Sequence, residues 1–202
     1  MMPLLALLLA CSAPSPDAGL ALPEKASLDG IELRLPGPGL VLRAAHAQTM
    51  AAEPRQGEAS QVTAELGDAP GLSIESAHAS WDLRAQNVVF EQDVTAVRGA
   101  FTLRCQRLEA SFDSPEQLSR AEASGDVTVT HGERVATGQR AVLDVQTGRL
   151  ELDGQPTVTE GGRSLRGDRI VLFLDDERLE CDQCALEIAP AAQPLSVQPE
   201  AR

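Results

Sequence analysis

The strongest constraint on this chain is a phrase that returns at intervals of about thirty residues. Thr128-Val-Thr-His-Gly-Glu-Arg-Val-Ala-Thr-Gly-Gln-Arg-Ala-Val-Leu143 aligns without a gap on Thr157-Val-Thr-Glu-Gly-Gly-Arg-Ser-Leu-Arg-Gly-Asp-Arg-Ile-Val-Leu172, at an offset of 29. An offset of 62 carries Asp82, Val88, Phe90, Gly99, Leu103, Arg107 and Leu108 onto Asp144, Leu150, Leu152, Gly161, Leu165, Arg169 and Ile170. Nearer the start, Gly39 to Ala47 matches Gly71 to Ala79. A fixed period of this size means one supersecondary unit stacked on itself, each copy burying its apolar face against the next.

Within the repeats the apolar residues alternate. Ile31-Glu-Leu-Arg-Leu35, Val127-Thr-Val-Thr130 and Leu150-Glu-Leu-Asp153 have the period-2 pattern of half-buried strands, and glycine-containing turns punctuate them every 8 to 12 residues. Ala141–Val145 and Ile170–Leu174 are apolar on both faces, which places them mid-roll or against a ligand. The expectation is an all-β chain of two or three short strands per repeat. Residues 46–60 read as a long loop or irregular edge, and Ser111–Ala123 as a connection with a helical turn after Pro115. The organisation expected is a leader over 1–11, a tether over 12–27, the β domain over 28–189 and a disordered tail over 190–202.

Composition narrows the function. Hydrophobic residues make up 43% of the 202, but aromatics only 2%, so the core is aliphatic. A net charge of −13 repels nucleic acid and anionic headgroups at long range, so nucleic acid is not an expected partner. Leu4–Ala10 is far shorter than the ~20 residues that span a bilayer. It ends in Leu8-Leu-Ala-Cys11, which resembles the lipobox of bacterial lipoproteins, where the cysteine is acylated and becomes the mature N-terminus. The alternative is a leader cut elsewhere, with Cys11 lost.

Local chemistry is sparse. Cys181-Asp-Gln-Cys184 has the spacing of a redox pair or half a zinc site, but its flanks read as strands and no second ligand pair is spaced to match. A disulfide bracing a turn, or two free thiols, is the plainer expectation. Cys105 falls on the repeat position of Gly138 and Gly167, where a small buried residue belongs. His46 and His78 share a repeat position, which points to packing rather than catalysis, and Asp175-Asp176 reads as a solvated turn. No catalytic residue, metal or cofactor is expected.

Residues 138–158, with Gly138, Ala141, Leu143, Asp144, Thr147-Gly148, Leu150, Leu152, Gly154, Pro156 and Val158, resemble the repeat of the OstA-like family. That family comprises LptA, LptC and the N-terminal domain of LptD, and the resemblance spans about residues 39–188. It implies a twisted antiparallel β-roll (a β-jellyroll) open along one seam, whose interior holds the acyl chains of lipopolysaccharide and whose ends join edge to edge with LptA-like rolls. An N-terminal anchor within the family points to an LptC-like role beside the inner-membrane ABC transporter, in the periplasm. LptC carries a transmembrane helix where this chain has a lipobox, so membrane attachment would pass through lipidated Cys11. The competing reading is a structural β-repeat lipoprotein scaffold with a filled core; a redox lipoprotein using Cys181 and Cys184 is a weaker third. A carrier needs an apolar trough, and the residues in phase to line one are Phe90, Phe101, Leu103, Phe112, Leu143, Leu150, Leu152 and Leu172. Core packing is the alternative for each. The strand around Arg178–Ile188 is the expected joint to the next roll.

Overall fold

The computed structural model describes residues 25–35, 39–50, 53–66, 71–114, 117–174 and 178–188. The leader with Cys11, most of the tether, Asp175-Asp176 and the 190–202 tail lie outside them. The described residues form fourteen strands: β1 (Lys25–Leu35), β2 (Leu40–Met50), β3 (Glu53–Leu66), β4 (Leu72–Asp82), β5 (Asn87–Arg98), β6 (Phe101–Ser114), β7 (Gln117–His131), β8 (Arg134–Asp144), β9 (Arg149–Asp153), β10 (Thr157–Glu160), β11 (Arg163–Arg166), β12 (Arg169–Phe173), β13 (Leu179–Asp182) and β14 (Ala185–Ile188). All pair antiparallel in one sheet that does not close on itself.

From β1 to β8 each strand pairs with the next, and β8 is where the sheet divides. Val135–Thr137 of β8 pair with β10, while Arg140–Asp144 pair with β9. One branch continues β10–β11–β14 and the other β9–β12–β13. The division makes visible what the longer strands do without breaking: each crosses a column where ladder pairing lapses. The column runs through Gly30, Ala45, Gln61, Ala77, Gln92-Asp93, Gln106, Gly125-Asp126, Gln139, Gly154-Gln155 and Gln183. A left-handed residue or bulge at such a point bends the strand and re-aims the segment beyond it. Gln61, Gln92, Asp93, Asp126, Gln155 and Gln183 all have positive φ, between 49° and 64°. Along this crease the sheet folds over, so that the inward faces of its two halves form one apolar core.

Glycine is required where two strands touch on the crease. Gly154 has φ +80°, and a Cβ there would fall 2.5 Å from the Cβ of Gln139. Gly125, with φ +78°, stands in the same relation to Gln106.

The repeat seen in the sequence is a bent hairpin. Asp82 and Asp144, matched at offset 62, end β4 and β8 and close equivalent turns: Asp82 Oδ1 accepts the N–H groups of Arg84 (2.9 Å) and Ala85 (3.1 Å), and Asp144 Oδ1 accepts that of Thr147 (2.9 Å). These backbone hydrogen bonds, Ala85 foremost for Asp82 and Thr147 for Asp144, hold both carboxyls below the usual carboxylate range. Matched Phe90 and Leu152 are both fully buried.

Two expectations about segments are corrected. Residues 46–60 are not a loop: β2 runs to Met50 and β3 starts at Glu53. Ser111–Ala123 carries no helical turn among its described residues, since β6 extends to Ser114 and β7 resumes at Gln117. Residues 46–60 are rich in Ala, Gln and Glu and residues 111–123 in Ser, Ala and Glu, poor strand formers in isolation, and the continuous ladders to β4 and β5 and to β8 override that propensity. Strands of 11 to 15 residues, bent at the crease, therefore replace most of the short strands expected.

Gly154→Ala should lower stability by about 2 kcal/mol or more, because left-handed strain and the contact with Gln139 add. Gly161→Ala, with φ +54° and nothing within 4 Å of its Cβ, should cost only about 1 kcal/mol. Urea melts of the two variants test this; equal losses would mean that the crease yields.

Candidate functional site

The crease fixes which side chains face each other. Nearest to it on the second half-sheet, directly paired residues form an inward row: Leu28, Ala47, Ala59, Ala79, Phe90, Leu108, Ala123, Ala141, Leu152, Ile170 and Cys181. On the first half-sheet a second row runs Leu33, Leu42, Ala64, Ile74, Ala96, Leu103, Val129, Ala136, Val158, Leu165 and Leu186. Neither row contains a polar side chain other than the thiol-derived sulfur of Cys181.

Where the inward residues are large, the two halves fill the space between them. Phe90, Leu42, Val88 and Val94 are almost wholly buried, and Trp81 lies over Gly57 so closely that no Cβ would fit there. On β7 and β8 the residues are small instead. Ala121, Ala123 and Ala141 leave a cavity of about 360 Å³, bounded across the gap by Ala96, Leu103 and Val129. It falls at the lower end of the ~300–1,000 Å³ that ligand pockets occupy. One lip of its opening carries Arg98, Phe101 and Thr102, and the other Val145, Gly148 and Leu174. Toward the C-terminal side the lips approach each other, with Phe101, His131 and Arg134 on one and Leu172, Phe173 and Leu174 on the other around a much smaller pocket. The Phe101 and His131 rings stack there at 4.0 Å, and the Arg178 guanidinium lies over Phe173 at 3.9 Å.

Of the eight residues singled out for a trough, Phe101, Leu103, Leu143 and Leu150 line this cavity. Phe90, Phe112 and Leu152 are buried in the core, and Leu172 lines the smaller pocket. The alanines and Leu108, which do as much to shape the space, were missed. The available signal was size: Ala123 on β7 and Ala141 on β8 stand where the flanking strands carry Leu108 and Leu152.

Cys181 and Cys184 are joined by a disulfide across the point where the chain passes from β13 to β14, with Cα atoms 5.9 Å apart. Cys105 is a buried free thiol, and burial pushes its pKa up to about 11, so it is protonated and inert at neutral pH. The packing expected of His46 and His78 is corrected: both side chains are exposed. The residues that follow them, Ala47 and Ala79, are the buried ones, so alternation puts each histidine on the outer face. His46 pairs there with Asp29, and the same outer row carries Glu91–Arg107, Arg140–Asp153 and Arg169–Asp182 pairs. Among the described residues no group of three or more His, Cys, Asp or Glu is placed to hold a metal ion.

β1 is one edge of the sheet, and β13 and β14 end its two branches. Among the described residues, the large hydrophobic side chains that remain exposed are on these edges: Leu28 at 45%, Leu186 at 60% and Ile188 at 67%.

Residues 73–178, more than half of the chain, match the family described as "LptA/(LptD N-terminal domain) LPS transport protein". The chain belongs to this family. Its members are described as lipopolysaccharide transport proteins. The fold is also that of LptH, the LptA homologous periplasmic component of the lipopolysaccharide transport device of Pseudomonas aeruginosa, at a TM-score of 0.52 and 18% identity over 64% of this chain and 90% of that one. No curated protein sequence matches the chain. The all-β jellyroll, unclosed along one side, is thus an architecture that this chain shares with LptH.

Proposed function

We propose that the roll is a periplasmic bridge protein that takes acyl chains of lipopolysaccharide into its interior and hands them edge to edge to the next roll. One observation carries this reading: the apolar rows run unbroken across the whole sheet and end on exposed side chains at its free edges, Leu28 on β1 and Leu186 on β14. A folded monomer gains nothing by leaving Leu186 in water. A second roll paired on β14 would cover it and continue the same apolar row. Each methylene kept from water contributes about 0.8 kcal/mol, so a lipid chain needs just such an aliphatic path. The cavity between Ala123 and Leu103 favours a carrier over a scaffold, whose core would be packed to native density.

Photo-crosslinkers at Leu103 and Leu143, on the cavity wall, should capture lipopolysaccharide. Crosslinkers at Glu151 and Asp153, whose side chains hold ion pairs with Arg169 and Arg140, should not. Equal labelling of both sets would remove the interior path.

The joint has its own test. Leu186→Glu with Ile188→Glu alters side chains already in solvent, so the melting temperature of the isolated domain should hardly move. Pull-down of the next roll should fall about tenfold or more, because a charge would be buried where an apolar contact belongs. Undiminished pull-down by the folded double variant would place the joint elsewhere.

An LptC-like role beside the inner-membrane transporter rests on Cys11 as a lipid anchor. Intact-mass spectrometry of membrane-extracted protein should find a mature N-terminus at Cys11 carrying acyl chains. An unmodified terminus would leave the roll a free periplasmic link.

A further inference from the structure

The cavity wall holds one ionisable side chain among the described residues, Arg98. It ends β5 on the first lip, paired across the ladder with Leu72 on one side and Phe101 on the other. Arg107, Arg140 and Arg169 each hold carboxylates on the outer face. Arg98 makes no ion pair with any described residue. An exposed arginine that lines an apolar cavity and holds no carboxylate presents a head-and-tail arrangement.

We infer that the cavity is a binding site for one single-chain anionic amphiphile, with its chain among Ala123, Ala141 and Leu103 and its phosphate or carboxylate head on Arg98. This rests on the reading of the roll as a lipid carrier and adds what it takes: one chain at a time, oriented by its head. The volume sets the first point. About 360 Å³ is a small-ligand space, narrow beside what a multi-chain lipid would need if all its chains entered together. Charge sets the second. A chain of net charge −13 repels anions, so an anion held at this mouth must be held by a local cation. Arg98 supplies a planar fork of donors that matches two oxygens of a phosphate or carboxylate. The apolar chain then fixes the depth of insertion, and the head stops at the lip.

Calorimetric titration of the full-length protein with dodecyl phosphate, dodecanol, dodecylammonium and inorganic phosphate tests this, with all amphiphiles kept below micelle-forming concentrations. Wild type should bind dodecyl phosphate one to one and about tenfold or more tighter than dodecanol, as a charge-assisted hydrogen-bonded pair allows. Dodecylammonium should be no better than dodecanol, and added salt should narrow the advantage of the phosphate. Arg98→Gln should erase that advantage and leave the thermal melt unchanged, while Arg98→Lys should keep part of it. A phosphate advantage that survives Arg98→Gln would overturn the assignment. So would inorganic phosphate binding as tightly as the amphiphile, since the chain would then be irrelevant. Wild type that binds lipopolysaccharide but not dodecyl phosphate would overturn the single-chain site alone; binding neither would end the carrier reading as well.

Discussion

Every strand of this sheet hydrogen-bonds to its neighbours along most of its length, so no strand can bend alone. If one turns a corner, its partners must turn at the same height or the ladder opens. The structure satisfies that demand with a column of irregular residues running from Gly30 to Gln183. Left-handed conformations cost roughly 1–2 kcal/mol each for residues other than glycine, and this chain accepts six of them on the crease at Gln and Asp positions. The return is a second layer. A flat sheet of this length would expose an apolar face, whereas a folded one buries both of its inward halves against each other. The division of β8 between two branches follows from the same bend, since its next partner turns the corner through Gly154-Gln155-Pro156 and pairs as two separate strands, β9 and β10.

With the crease in place, the size of each inward side chain decides what the interior is. Phe90 opposes the small Ala79 on one side and meets Leu108 on the other, and the space around them is filled. Two strands later the same row carries Ala123 and Ala141, and the halves no longer meet. The backbone does not move in to close the gap, because the ladders on both sides hold the strands at a fixed spacing. A cavity of this kind sacrifices dispersion contacts that a leucine would supply, at about 24 cal/mol per Å³ of void in measured cases. The crease and ladders make that loss tolerable; a ligand chain would recover it.

The sequence was legible where the repeat is chemical and opaque where it is geometric. Asp82 and Asp144, or Gly132 and Gly161, recur because each hairpin turn needs a capping carboxylate or a positive φ, and such needs leave the same letters in each copy. The alternation of Phe90, Leu150 and Leu152 likewise announced an all-β chain with an apolar interior. Residues 46–60 and 111–123 misled because their small and polar residues say nothing of the partners that hold them in a ladder. His46 and His78 misled for a related reason. A shared repeat position shows that two residues occupy the same place, but only the phase relative to Ala47 and Ala79 shows that this place is outside. The cavity was hardest to see, because alanine in a strand usually marks nothing. It acquires meaning only from what faces it in the second layer, since Ala47, Ala59 and Ala79 share the row of Ala123 and Ala141 yet line no part of this cavity, and that layer exists only once the crease is known.

The two surfaces of the sheet also divide the problem of solubility. Outward rows carry Arg107, Arg140 and Arg169 against Glu91, Glu122, Glu151 and Asp182, exposed pairs each worth little in stability but effective in keeping the face wet and specific in register. In Glu122 the Arg140 hydrogen bond holds the carboxyl below its usual range. Such pairing runs to the last strands of one branch and stops on β14, whose four residues are all exposed and include Leu186 and Ile188. A sheet protected by charge on its broad face yet left apolar at its end cannot be protecting itself from association in general. On the proposed reading it restricts association to the edge, where a second sheet would add in only one direction and in register with the rows inside.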